Sequence, residues 1–264
     1  MQPTESSQLK SCCAALYQSD FVRFLLGDSF HPGGTRLTER LGVLLHLGPL
    51  SRVLDVASGK GESAIFLARR FGCKVVGIDF GVENVSEATR RAAAAGVADV
   101  TSFRQGDAEQ IDCPDNSFDV VICECAFCTF PDKSKAAAEF ERVLKPFGRV
   151  GLSDLTRSGP LPKELEGLLA WVACIADARP SDEYVDYLKA AGFKVLEIEA
   201  HDEGLAEMVR NIQGKLLSAE LMLNLKKLDL PGVDLGQAKV LARSAAAAVR
   251  AGLLGYSLII GCRA

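Results

Sequence analysis

The apolar pattern reads with a period near two over about 52–57, 74–79, 100–105, 118–125 and 148–154, and near 3.6 over about 61–71, 82–95 and 133–145. The first spacing places apolar side chains on one face of a strand, the second along one stripe of a helix. Strand and helix in regular alternation predict a parallel sheet covered on both faces. Upstream, Leu37, Leu41, Leu44 and Leu45 predict a helix that begins behind Thr35 or Thr38, contains His46, and stops at Gly48-Pro49. Gly27 to Gly34 reads as a loop, because Pro32 and its paired glycines break helices.

Past Asp154 the pattern predicts helices near 162–176 and 181–191, then a strand over 193–199. Leu205, Met208, Ile212, Leu216, Ala219 and Leu223 mark one face of a long helix. A second helix is expected from Ser244 to Ala251, and Tyr256 to Gly261 reads as a closing strand. The organisation expected is an N-terminal helical lid over 1–50, an α/β core over 51–201 and 256–264, and a helical insertion over 202–255. That insertion is expected to cover the substrate side or to form a homodimer contact.

Composition narrows the class. At 264 residues and 48% hydrophobic, the chain can bury one large α/β core with appendages. A formal net charge of −4 gives no reason to expect a nucleic-acid partner. No apolar run approaches the ~20 residues of a membrane span, and Met1-Gln-Pro-Thr-Glu-Ser-Ser lacks a basic, then apolar, leader, which predicts a cytoplasmic protein. Nine cysteines without a secretion signal are expected to be reduced thiols.

The densest chemical signal is Val53-Leu-Asp-Val-Ala-Ser-Gly-Lys-Gly61, followed by Val75-Val-Gly-Ile-Asp79. A strand, a glycine turn and a second strand ending in a carboxylate make a nucleoside site, with Asp79 placed to accept from ribose hydroxyls. Gly59-Lys-Gly61-Glu-Ser-Ala64 also satisfies a dehydrogenase pattern, so an oxidoreductase stays open on this motif alone. Asp55 can hold the glycine loop or meet a cationic group of the ligand. Asp107, in Gln105-Gly-Asp-Ala108, can accept from an exocyclic amine or serve as a turn carboxylate. Glu141-Arg-Val-Leu-Lys-Pro-Phe-Gly148 predicts a helix end and turn before the fifth strand.

In this order, these segments over roughly 50–200 resemble the class I S-adenosylmethionine-dependent methyltransferases that act on small molecules. The resemblance implies a Rossmann-like, mostly parallel seven-stranded sheet, with the helical insertion before the last strand. It implies S-adenosyl-L-methionine as cofactor and S-adenosyl-L-homocysteine as product. Asp55, Ala57, Gly59 and Gly61 would cradle the amino-acid part, Asp79 the ribose, and Asp107 with Ala108 the adenine, with Phe80 and Glu124 as further cofactor contacts. The crevice is expected beside strands one and four, where strand order reverses.

Strand four runs into Cys123-Glu-Cys125-Ala-Phe-Cys128, and period two puts Cys123 and Cys125 on one face and Glu124 on the other, with Cys128 in the loop. Glu124-Cys-Ala-Phe-Cys-Thr-Phe-Pro-Asp-Lys133, the Arg-Val-Leu-Lys-Pro turn, Leu152-Ser-Asp-Leu155 and Trp171-Val-Ala-Cys174 resemble arsenite methyltransferases. That family holds trivalent arsenic by a cysteine after strand four and another in the helix after strand five, which implies Cys125 and Cys174 as reactive substrate ligands. The chain lacks the family's Tyr-Gly-Cys-Gly segment and its cysteine-bearing C-terminal domain, so Cys12 or Cys13 is the expected source of a third thiol. Buried cysteines equally pack as small hydrophobes. Cys73, Cys113 and Cys262 are read as structural, and no resident metal is expected from Cys123, Cys125 and Cys128, since one strand cannot aim all three at one ion. Of the three histidines, His31 in the glycine loop is the candidate for contact with substrate. Two other readings stay open: an organic sulfur, oxygen, nitrogen or carbon acceptor, and a non-catalytic cofactor-binding scaffold.

Overall fold

A computed structural model describes residues 31–165, 174–224 and 234–264. Cys12, Cys13 and most of the helix expected near 162–176 lie outside them. Seven strands form one sheet in the order β3-β2-β1-β4-β5-β7-β6. They are β1 (Arg52–Val56), β2 (Lys74–Asp79), β3 (Thr101–Gln105), β4 (Phe118–Glu124), β5 (Leu144–Arg157), β6 (Phe193–Ala200) and β7 (Leu254–Arg263). The first five are parallel, and β7 enters antiparallel between β5 and β6. Among the described residues the helices are α1 (Gly34–Leu44), α2 (Glu62–Phe71), α3 (Val82–Ala94), α4 (Lys133–Val143), α5 (Ser181–Ala190), α6 (Asp202–Asn224) and α7 (Leu235–Arg250).

The central strands are buried on both faces, so Val53, Leu54, Val56, Val120, Val121 and Ile122 form an unbroken apolar belt. Each such side chain contributes roughly 1.5–3 kcal/mol by leaving water. The α1 helix joins this core. Leu37, Leu41 and Leu45 are buried, and a β-carbon at Gly151 of β5 would lie 2.8 Å from both Leu41 and Leu45. α6 and α7 pack on each other through Leu216, Ala238 and Ala242, a small second cluster in the β6–β7 connection. Among the described residues, no helix is long and apolar enough to cross a membrane.

Several local expectations change. α1 begins at Gly34 behind a left-handed Gly33, so neither Thr35 nor Thr38 caps it, and exposed His46 lies past its end at φ 57°. The expected Pro-x-Gly turn is a bulge inside β5. The strand already pairs at Leu144 with Phe118, then shifts register, with Phe147 at φ 63° taking up the extra length. α7 starts at Leu235, nine residues before the expected Ser244, because the Asp234 side chain accepts from the Gln237 amide and caps it. Cys174 occupies a turn at φ 61° and not a helix.

Candidate active site

Strand order reverses between β1 and β4, and both strands end at one crevice. The β1–α2 loop borders it. Ala57, Gly59 and Gly61 have φ of 58°, 51° and 77°, a left-handed path in which only alanine carries a steric cost. Gly61 is also hemmed in, since a β-carbon there would lie 2.8 Å from the Phe103 ring and 2.9 Å from Ala88. The Asp79 carboxylate braces the loop, accepting from the amides of Gly59 and Gly81, each at 2.8 Å, and from the Asn84 side chain at 3.0 Å.

Asp55 is buried at the end of β1. Burial, then Glu124 and Asp79, hold its carboxyl well above the usual range, opposed by the Ala64 backbone N–H. Its Oδ2 and the Ser58 Oγ are buried without hydrogen-bond partners among the described residues. Burial also raises Asp79, against its three donors. A cationic ligand offering N–H donors matches these unpaired oxygens, which fits the α-ammonium of S-adenosylmethionine. Half-buried Phe80, Asp107 and Ala108 follow β2 and β3 at the same edge; Asp107 accepts from the Glu109 amide at 2.9 Å.

Besides its candidate role as a cofactor contact, Glu124 holds three elements together. Its carboxylate accepts from Thr38 at 3.1 Å, Ser63 at 2.5 Å and Ser153 at 3.3 Å, tying α1, α2 and β5 to the end of β4. His31 joins the same cluster, its Nε2 3.4 Å from the Thr38 hydroxyl and 3.8 Å from Glu124. It lines a cleft of about 830 Å³ between α1 and α6, apart from the cysteines. Glu124→Ala is expected to lower stability by about 2–3 kcal/mol, because three buried hydroxyls lose their acceptor. Denaturant midpoints check this. A parallel titration of Glu124→Gln with S-adenosylhomocysteine separates the two roles: unchanged affinity leaves Glu124 a brace, and a tenfold loss makes it a cofactor contact.

At the far wall β4 stops at Glu124, and Cys125 turns off the strand at φ 53°, its amide donating to the Ser153 carbonyl at 2.6 Å. That reversal breaks the two-residue alternation. The Cys174 thiol donates to the Cys125 carbonyl at 3.3 Å and lies close enough to the thiols of Cys125 and Cys128 to raise both. Cys125 and Cys174 therefore meet. Cys128, read as a plain loop residue, meets them too; its spacing from Cys125 was visible, but the turn that folds it back was not. Its amide donates to Asp154 Oδ2 at 2.9 Å, and its thiol bonds the same carboxylate. Cys174, then burial, raises the Cys125 thiol; burial, then Cys174, raises Cys128. Burial and then nearby Cys174 raise Asp154 to about 7, against the bonds from Cys128 and Leu155. Buried Cys73 and Cys113 stand elsewhere in the core. Among the described residues, no group of three or more His, Cys, Asp or Glu side chains is arranged to hold a metal ion.

Comparison with known proteins gives a consistent result. A methyltransferase domain family model matches residues 47–192, more than half of the chain. Arsenite methyltransferase of Halobacterium salinarum is 32% identical over 160 residues, covering 60% of this chain and 41% of that enzyme. The 27-O-demethylrifamycin SV methyltransferase of Amycolatopsis mediterranei is 33% identical, covering 67% and 70%. The chain spans less than two-thirds of the length of the first curated relatives it matches, from 32% to 63%. For the fold, phosphoethanolamine N-methyltransferase 2 of Haemonchus contortus, solved with phosphomonomethylethanolamine and S-adenosylhomocysteine, superimposes with a TM-score of 0.80 at 18% identity, covering 97% of this chain and 60% of that one.

Proposed function

We propose, from the premise that the chain belongs to the methyltransferase domain family, that it methylates a trivalent arsenical held by thiolates. The enzyme is a small-molecule methyltransferase dependent on S-adenosylmethionine. When bound, that cofactor supplies an electrophilic methyl on a sulfonium and leaves as S-adenosylhomocysteine. Asp55 and the loop of Ala57, Gly59 and Gly61 take its amino-acid end, Asp79 and Phe80 its ribose, and Asp107 with Ala108 its adenine.

The observation that carries the acceptor reading is the meeting of Cys125 and Cys174 at the end of β4. Trivalent arsenic is soft and prefers sulfur. As each As–S bond forms, the thiol proton passes to the departing hydroxide and water leaves, so no separate base is consumed. Two ligands from separate elements fix the direction of the arsenic lone pair, an orientation effect that can reach about 7–11 kcal/mol.

A second reading, an organic acceptor, draws support from the cleft between α1 and α6, whose lining mixes Arg36 and Arg210 with Met208 and Ile212. Phenylarsine oxide separates the two. We expect one equivalent to bind the wild type, and Cys125→Ser or Cys174→Ser to weaken it at least tenfold through loss of the linked second ligand, with S-adenosylhomocysteine affinity retained. Binding and turnover indifferent to both substitutions would leave the organic acceptor standing.

A further inference from the structure

We infer that Cys128 is the third arsenic ligand, so that the core takes a trivalent arsenic with three exchangeable hydroxyls and needs no thiol from the N-terminal segment. The inference rests on the thiolate reading above and extends it to the substrate's coordination number.

Three observations converge. Cys125 and Cys128 span one short turn, Cys125-Ala-Phe-Cys128, whose 3₁₀ segment Phe127–Thr129 lies directly beyond the strand end. Asp154 pins that turn through the Cys128 amide at 2.9 Å, setting the residue against β5. Both thiols have Cys174 as a close neighbour that helps raise them, and the 3.3 Å contact to the Cys125 carbonyl holds Cys174 in place. Cys174 is thus the shared vertex of two sulfur pairs.

Access differs along the group. Cys125 is half-exposed, whereas Cys128 and Cys174 are buried. An arsenical therefore meets Cys125 first and passes inward. The pairs are not closed into a ready-made ion cage, so ligation completes when Cys125 and Cys128 rotate toward the arsenic seated on Cys174. Three S–H and three As–O bonds break, three As–S and three O–H bonds form, and three waters leave. Arsenic stays trivalent throughout, so no oxidant or reductant enters. Two thiols alone would leave one hydroxyl on the metalloid.

Native mass spectrometry of the full chain reads this directly. With arsenous acid, the wild type and the Cys12→Ser/Cys13→Ser double variant are expected to gain arsenic stripped of all three hydroxyls. Cys128→Ser and Cys128→Ala are expected to gain arsenic that keeps one hydroxyl, with affinity lowered at least tenfold. Phenylarsine oxide has only two exchangeable positions, and its binding should stay within twofold in the Cys128 variants, which also reports that they fold. Full hydroxyl loss in the Cys128 variants, or retention of a hydroxyl in the wild type or the double variant, would overturn the inference while leaving the two-thiol reading intact. Failure of phenylarsine oxide to require Cys125 and Cys174 would instead remove the reading beneath it.

Discussion

Gly61→Ala is expected to abolish measurable cofactor binding and to destabilise the fold by several kcal/mol. Two costs add. A non-glycine residue at φ 77° carries about 1–2 kcal/mol of backbone strain. The new methyl would also sit 2.8 Å from the Phe103 ring and 2.9 Å from Ala88, and overpacking of this kind costs about 1–3 kcal/mol. The Ala88 methyl is fixed to its helix and cannot turn aside, so shifting the half-buried Phe103 ring leaves a clash that only movement of the loop relieves. Were about 4 kcal/mol of this charged to the bound loop geometry, affinity would fall roughly 10³-fold. Titration with S-adenosylhomocysteine, with the denaturation midpoint as companion, decides it. Affinity within tenfold of wild type would mean that the loop does not carry the cofactor.

Asp154→Asn should remove most of a pH dependence that the wild type shows between about pH 4 and pH 7. The native carboxyl is raised to about 7, against an ordinary value near 3.8. Below about pH 4 both native and unfolded forms are protonated, and the native state pays no ionisation penalty at this site. As pH rises, the unfolded form ionises first while the native form keeps its proton, so stability falls until about pH 7 and then levels off. At most about 4 kcal/mol is lost across that window. Asparagine cannot ionise, and its single oxygen can serve only one of the Cys128 and Leu155 amides, a fixed loss of about 1 kcal/mol. The variant should then be less stable than wild type at pH 3, about equal near pH 4.5, and more stable at pH 8. Parallel urea profiles across that range would show that Asp154 is ionised throughout.

Much of the sheet was legible because its evidence is local. The short apolar runs in Val53 to Val56 and Val75 to Ile78 reflect burial on both faces, and the glycines between them admit few backbone paths. The bulge at Phe147 was not legible, since a Pro-x-Gly run suits a turn or a bulge, and only pairing with Phe118 selects one. The bracing role of Glu124 was not legible for a related reason. Its partners Thr38, Ser63 and Ser153 lie on three elements, distant in sequence, and no spacing announces such a cluster. The cysteines fell between these cases. Cys125 and Cys174 came from a family likeness, whereas Cys128 needed the change of direction at Cys125, a left-handed φ that non-glycine residues adopt mainly where their surroundings impose it.

β7 lies between β5 and β6, and among the described residues β6 has no other strand beside it. The ribosome therefore finishes β6 more than fifty residues before it makes the strand that seats it. Until residues 254–263 emerge, Phe193 and Val195, which pack into the finished core, sit on a segment without its partner strand, exposed to chaperones and to other nascent chains. A ribosome-stalled chain halted before Leu254 should be protease-sensitive at 193–200 while β1 to β4 already resist cleavage.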